Sequence, residues 1–201
     1  MRNRDGLELA QALCARRCHD LGGPIGSLVT VMDLGPAGGA EAVDIARESA
    51  DILRRRIRLF RLLAGAAEDL SREGLETCVE DMLSHGKVRL AEGVAVPASA
   101  VPAVLAAILL AAEALPRGGA GLLAGDPAEE LMVIPSGPGA AWPPALAALL
   151  APGDAVPEPL PRTVFAHVLC AAAEQAGLTL RLALGAGQGG AALLMTRRHA
   201  G

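Results

Sequence analysis

The stretch Met32-Asp33-Leu34-Gly35-Pro36-Ala37-Gly38-Gly39-Ala40-Glu41 decides how the first third of the chain is read. Its glycines and proline stop a helix entering from the N-terminal side and favour a tight reversal. Before it, Leu7, Ala10, Cys14, Cys18, Leu21, Ile25, Leu28 and Met32 recur at spacings of three and four, one stripe of a helix over residues 5–33. After it, Val43, Ala46, Ala50, Leu53, Ile57, Phe60, Ala64 and Ala67 repeat that period over 40–67. Two helices of near-equal length around a short Gly/Pro break predict an antiparallel hairpin. A lone hairpin leaves half of its apolar stripe in water. A second copy of the chain is therefore expected to complete a four-helix bundle, making a homodimer.

Beyond residue 70 the pattern changes. Helices are expected at Ser71–Ser84, Pro97–Leu115, Pro143–Leu150 and Arg162–Ala176, and strands at Lys87–Leu90, Gly119–Ala124, Glu130–Pro135, Leu178–Leu184 and Ala191–Thr196. The run Gly185-Ala186-Gly187-Gln188-Gly189-Gly190 lies between two strands with no helix after it, so it reads as a hairpin turn rather than a phosphate loop. The fold class expected is α+β: a helical hairpin over 1–68, then a small α/β sandwich over 69–201.

Composition narrows the function. The 201 residues are 52% hydrophobic, enough to bury a core in one domain or two small ones. Phe60, Phe165 and Trp142 are the only aromatic residues, too few for stacking on single-stranded nucleic acid or sugars. A net charge of −4 argues against a nucleic-acid partner held by phosphate contacts. The longest apolar run, Val101–Leu115, is short of the roughly 20 residues of a membrane span and contains Pro102 and Glu113. Asp5 and Glu8 stand where a signal peptide would be apolar, so a cytoplasmic protein with no membrane partner is expected. Cys14, Cys18, Cys78 and Cys170 follow no disulfide framework; Cys14 and Cys18, one helical turn apart, are expected to be reduced and packed.

The residues that carry chemistry are Arg16-Arg17-Cys18-His19-Asp20-Leu21-Gly22-Gly23-Pro24-Ile25-Gly26. At 3.6 residues per turn His19 is rotated by about 100° from the Cys14/Cys18 stripe. Its neighbours on the helix face are Ala15, Arg16, Gly22 and Gly23. Each helical glycine costs about 0.5–1 kcal/mol relative to alanine, and Pro24 removes a backbone bond. A helix weakened in this way beside a histidine suits a partner whose backbone must approach an exposed imidazole. The plainer alternative is a solvated surface histidine. A metal site is not expected, because His19 points off the cysteine face and no fourth ligand is near in sequence. His85, His167 and His199 have no comparable setting and receive no role. Arg54, Arg55, Arg56, Arg58 and Arg61 read mostly as a solvated helix face.

The segment Cys18–Gly26 resembles the phosphoacceptor box of the ChpT-type histidine phosphotransferases, where Cys-His-Asp-Leu is followed by Pro and a small-residue turn. The likeness continues at Arg58–Ala67, at Leu110-Ala111-Ala112-Glu113-Ala114-Leu115-Pro116-Arg117-Gly118-Gly119 and at Pro161-Arg162-Thr163-Val164. It implies a dimeric, sensor-kinase-like molecule whose ATPase-like domain no longer binds nucleotide. Independently, Ala107 and Ala111 stand where the kinase pattern places asparagines, Asn3 is the only asparagine, and no Asp-x-Gly-x-Gly motif is present. ATP is therefore not an expected partner, and no cofactor is expected beyond Mg²⁺ on a receiver domain. The resemblance implies a phosphorelay shuttle. In it His19 takes phosphate from a receiver aspartate of a hybrid histidine kinase and passes it to a response regulator. Asp20 would orient the imidazole; Arg16, Arg17, Gly22, Gly23 and Gly26 would meet the receiver. The alternatives are an unphosphorylated pseudokinase that binds or scaffolds receivers, and a live kinase, against which the missing asparagines speak.

Overall fold

The computed structural model describes residues 3–66, 69–79, 86–91, 94, 96–126, 128–153, 156–183 and 191–198. Helix α1 (Asn3–Leu34) and helix α2 (Gly39–Leu63) form the hairpin, joined by a single 3-10 turn over Gly35–Gly38. Gly35 and Gly39 have φ of 52° and 58°, a region that side chains with a Cβ rarely enter. A Cβ on Gly38 would lie 2.5 Å from that of Ala42. The break thus needs glycine for both backbone and packing reasons. Helix α2 ends earlier than the period to Ala67 suggests. Gly65 turns to a φ of 89°, and the N–H groups of Ala64, Gly65 and Ala66 close back on the carbonyls of Phe60, Leu62 and Arg61.

The remainder is a five-stranded sheet with helices packed on it, giving the α+β class. Strands β1 (Gly86–Leu90), β2 (Gly119–Asp126), β3 (Glu130–Ser136), β4 (Leu178–Ala183) and β5 (Ala192–Arg197) lie in the order β1-β2-β3-β5-β4. β1 and β2 are parallel, and the other neighbours are antiparallel. A parallel pair needs a crossover, which helix α4 (Val101–Glu113) supplies. Between β2 and β3, Asp126 closes the turn, its carbonyl accepting from Glu129 N–H at 3.0 Å and its Oδ1 from Ala128 N–H at 2.8 Å. β4 and β5 pair from Leu178↔Arg197 to Ala183↔Ala192; the Gly185–Gly190 connection lies outside the described residues.

Helices α3 (Arg72–Val79), α5 (Pro144–Leu150) and α6 (Val164–Gln175) complete the fold. The expected extension of α3 to Ser84 lies outside the described residues, as do His85 and His199. α4 starts four residues later than expected, because residues 98–100 form a turn and Pro102 sits in the first helical turn, where its missing N–H is harmless. Val101 and every residue from Ala103 to Ala111 are buried, the condition for a helix apolar on all sides. With Phe165 and Leu169 of α6 and Leu123, Leu131 and Leu193 of the sheet, they make the core.

The hairpin joins this core through Leu59, Phe60, Leu62 and Leu63 of α2 and Ala12 of α1, which are buried in it, with Leu9, Leu13 and Leu21 of α1 packed against it. The covered face of α1 continues at Pro24 and Val31. Leu7, Ile25 and Met32 of the sequence stripe are exposed, with Val43 and Ile57 of α2. Cys14 and Cys18 are also exposed, not packed, because the covered face lies to one side of their row. Among the described residues no helix is long and apolar enough to cross a membrane.

Candidate functional site

His19 stands on α1 with its side chain 86% exposed, beside an Asp20 side chain that is only 11% exposed. The ring Nδ1 lies 3.2 Å from Asp20 Oδ1. One turn earlier, Arg16 Nε reaches both oxygens of that carboxylate, at 3.2 and 3.0 Å. In the tautomer that carries its proton on Nδ1, the ring donates to this carboxylate, and the lone pair lies on Nε2.

Arg16 is itself clamped by the sandwich. Its Nη1 donates to Glu113 Oε1 at 3.3 Å and to the Pro161 carbonyl at 3.4 Å, and its guanidinium centre lies 4.8 Å from the Phe165 ring centroid. Arg17 turns the other way, donating to the Phe60 carbonyl at 2.8 Å with its guanidinium 5.2 Å from the Phe60 ring centroid. The sequence suggested two cations offered to a partner. In the fold both guanidinium groups are engaged within the chain, because α1 has α2 on one side and the α4–α6 edge on the other.

Pro24 explains a further contact. In an α-helix the N–H of residue 24 would bond the carbonyl of residue 20. Proline has no N–H, so the Asp20 carbonyl is left open, and a buried carbonyl needs a donor. Arg56 of α2 donates to it. Arg56 is thus not part of a solvated face but a strut across the hairpin at the site. Beyond it, a Cβ added to Gly22, Gly23 or Gly26 would meet nothing within 4 Å, and all three positions are exposed. Nothing inside the chain requires glycine there.

His19, Asp20 and Arg16 are therefore brought together, with Gly22, Gly23 and Gly26 on the same stretch of helix. Sequence reasoning did not find Arg56 or Glu113. The signal for Arg56 was the carbonyl that Pro24 orphans. For Glu113 it was a carboxylate closing an apolar helix, at the end where the helix dipole disfavours negative charge. Burial pushes the Glu113 carboxyl above its ordinary range, and Arg16 opposes that shift. Away from the site, burial holds His167 below the ordinary histidine value and pushes the Cys170 thiol up to about 11. Among the described residues no group of three His, Cys, Asp or Glu side chains forms a metal centre.

The fold is similar to that of a bacterial phosphotransferase solved at 1.7 Å, with 24% sequence identity, a TM-score of 0.70, and coverage of 94% of this chain and 96% of that one. The cytoplasmic segment of the histidine kinase QseC is 16% identical at a TM-score of 0.40, covering 79% of this chain and 93% of that one. The Acinetobacter baumannii histidine kinase AdeS is 14% identical at 0.44, covering 89% and 96%. No curated protein sequence matches. The family described as the histidine phosphotransferase C-terminal domain matches residues 72–188, from α3 past the end of β4. That is more than half of the chain, and it covers the sandwich up to β4, without β5 and without the hairpin that carries His19. On that match, the chain belongs to the histidine phosphotransferase C-terminal domain family.

Proposed function

We propose that this protein is a phosphorelay shuttle in which His19 accepts phosphate from a receiver-domain aspartate and passes it to the aspartate of a second receiver. The observation that carries this proposal is an exposed imidazole whose Nδ1 lies at hydrogen-bond distance from a largely sequestered carboxylate, an arrangement that leaves Nε2 as the nucleophile. In the forward step Nε2 attacks phosphorus in line. The Nε2–P bond forms, the P–O bond to the donor aspartate breaks, and its electron pair restores that carboxylate. The Nδ1 proton remains shared with Asp20, which balances the positive charge on the ring. Passing the phosphate on reverses these events at the acceptor aspartate. The receiver supplies Mg²⁺ and charge neutralisation.

The receiver docks along the exposed glycines Gly22, Gly23 and Gly26, where small residues let a partner backbone approach. Residues 1–68 form the dimerisation and phosphotransfer unit and 69–201 the degenerate ATPase-like unit. The homodimer in this reading is supported by the uncovered row of Leu7, Cys14, Cys18, Ile25 and Met32 with Val43 and Ile57. The reading includes no nucleotide ligand, and in its support Ala107 and Ala111, which stand where the kinase pattern places asparagines, are buried at 0% exposure. Incubation of the full chain with a phosphorylated receiver tests the proposal. Acid-labile phosphate should appear on the wild type and fall to background in His19→Ala. Transfer surviving in that variant, binding without transfer, or labelling from ATP alone would each contradict it.

A further inference from the structure

The link from Glu113 through Arg16 and Asp20 to His19 crosses from the sandwich to the hairpin. Glu113 is the last residue of α4, a helix fixed on all sides in the core. A carboxylate there is unfavourable twice over, through partial burial and through the helix dipole. Its partner is Arg16, 97 positions away in sequence. Arg16 is a long side chain with much rotamer freedom to lose on being fixed. Glu113, the Pro161 carbonyl and the Phe165 ring fix it, and the fixed guanidinium presents Nε to both Asp20 oxygens. Asp20 in turn is the group that holds the His19 ring.

We propose that Glu113 is a positioning residue for phosphotransfer. From the end of α4 it orients Arg16, and through Arg16 the carboxylate that sets the tautomer and rotation of the His19 imidazole. The sandwich then has a role at the phosphoacceptor without touching phosphate or nucleotide. This proposal rests on the phosphorelay role of His19, and its test separates the two.

In the full-length protein, long-range ¹H–¹⁵N spectra of the histidine rings report the His19 tautomer without any transfer. The wild type should show the Nδ1–H form, and Glu113→Ala a mixture of both tautomers. With a phosphorylated receiver, Glu113→Ala should lower the maximal transfer rate by roughly ten- to a hundredfold, leaving the half-saturating receiver concentration unchanged. Glu113→Gln, which keeps an acceptor oxygen, should recover part of both. Should Glu113→Ala fail to fold, Arg16→Lys replaces it: a single ammonium lacks the fork that serves both carboxylates, so the same tautomer mixing is expected. An unchanged tautomer in whichever variant folds, or a raised half-saturating concentration at unchanged maximal rate, would overturn the role of Glu113. A wild type that takes no phosphate, with Glu113→Ala still showing the expected tautomer mixing, would instead overturn the phosphorelay reading alone.

Discussion

Helix α4 and the middle of helix α1 obey opposite rules. From Val101 through Ala111 α4 is apolar on every side and buried except at Pro102; over that span its sequence and its environment agree. Around His19, α1 carries three glycines with nothing packed on them, a proline in the helix interior and an exposed imidazole. Local stability would prefer alanine or leucine there. The difference teaches that packing inside the chain accounts for α4 but not for this stretch of α1, which gives up stability without any internal packing gain; on the function proposed above, it does so for a docking receiver.

The contrast predicts its largest effect on stability in α4. Leu110→Ala should lower the unfolding free energy by about 2–5 kcal/mol in denaturant titrations, whereas His19→Ala should change it by no more than about 0.5 kcal/mol. Comparable losses at the two positions would erase the distinction. The strut across the hairpin comes next. Arg56→Ala leaves the Asp20 carbonyl without its donor and should cost about 1–3 kcal/mol. In a Pro24→Ala background the restored N–H can bond that carbonyl, so the same change should cost clearly less. A double-mutant cycle reads this coupling; strict additivity would show that Pro24 is not what makes Arg56 necessary.

Smaller still is the gain from repairing the weak stretch. Gly22→Ala or Gly23→Ala should raise stability by about 0.5–1 kcal/mol while slowing transfer from a phosphorylated receiver, because the methyl group occupies the approach path. A variant that gains stability and keeps full transfer would remove the glycines from the docking face. The smallest effect concerns His167. Burial depresses its pKa in the fold, so the unfolded chain binds that proton more readily. This contribution to stability is complete above the unfolded value of about 6.5 and is lost as pH falls through the lower folded value. The drop in melting temperature between pH 7 and pH 5 should therefore be shallower in His167→Gln than in the wild type.

Much of the architecture was legible in the sequence because it rests on periodicity and on Gly/Pro punctuation. The hairpin break at Gly35–Gly39, the buried run of α4 and the end of α6 at Gly177, with φ of 68°, are all local signals. Long-range contacts were not legible. The period of α1 gave a row through Cys14 and Cys18, but which row the chain itself covers depends on how α1 rolls against α2, and that roll places Ala12, Pro24 and Val31 inside instead. At the candidate site His19 and Asp20 stood out as neighbours. The destinations of Arg16, Arg17 and Arg56 did not, since a guanidinium on a helix reads as solvated until its partner, 97, 43 or 36 positions away, is in place.

The most direct test of this account is where phosphate resides after transfer. The full chain is phosphorylated from a receiver, and the modified histidine is examined by ³¹P and ¹⁵N spectroscopy under non-acidic conditions. The account predicts a single phosphohistidine, at His19, substituted on Nε2 with Nδ1 still protonated toward Asp20. Phosphate on Nδ1 of His19, or on His85, His167 or His199, would contradict it.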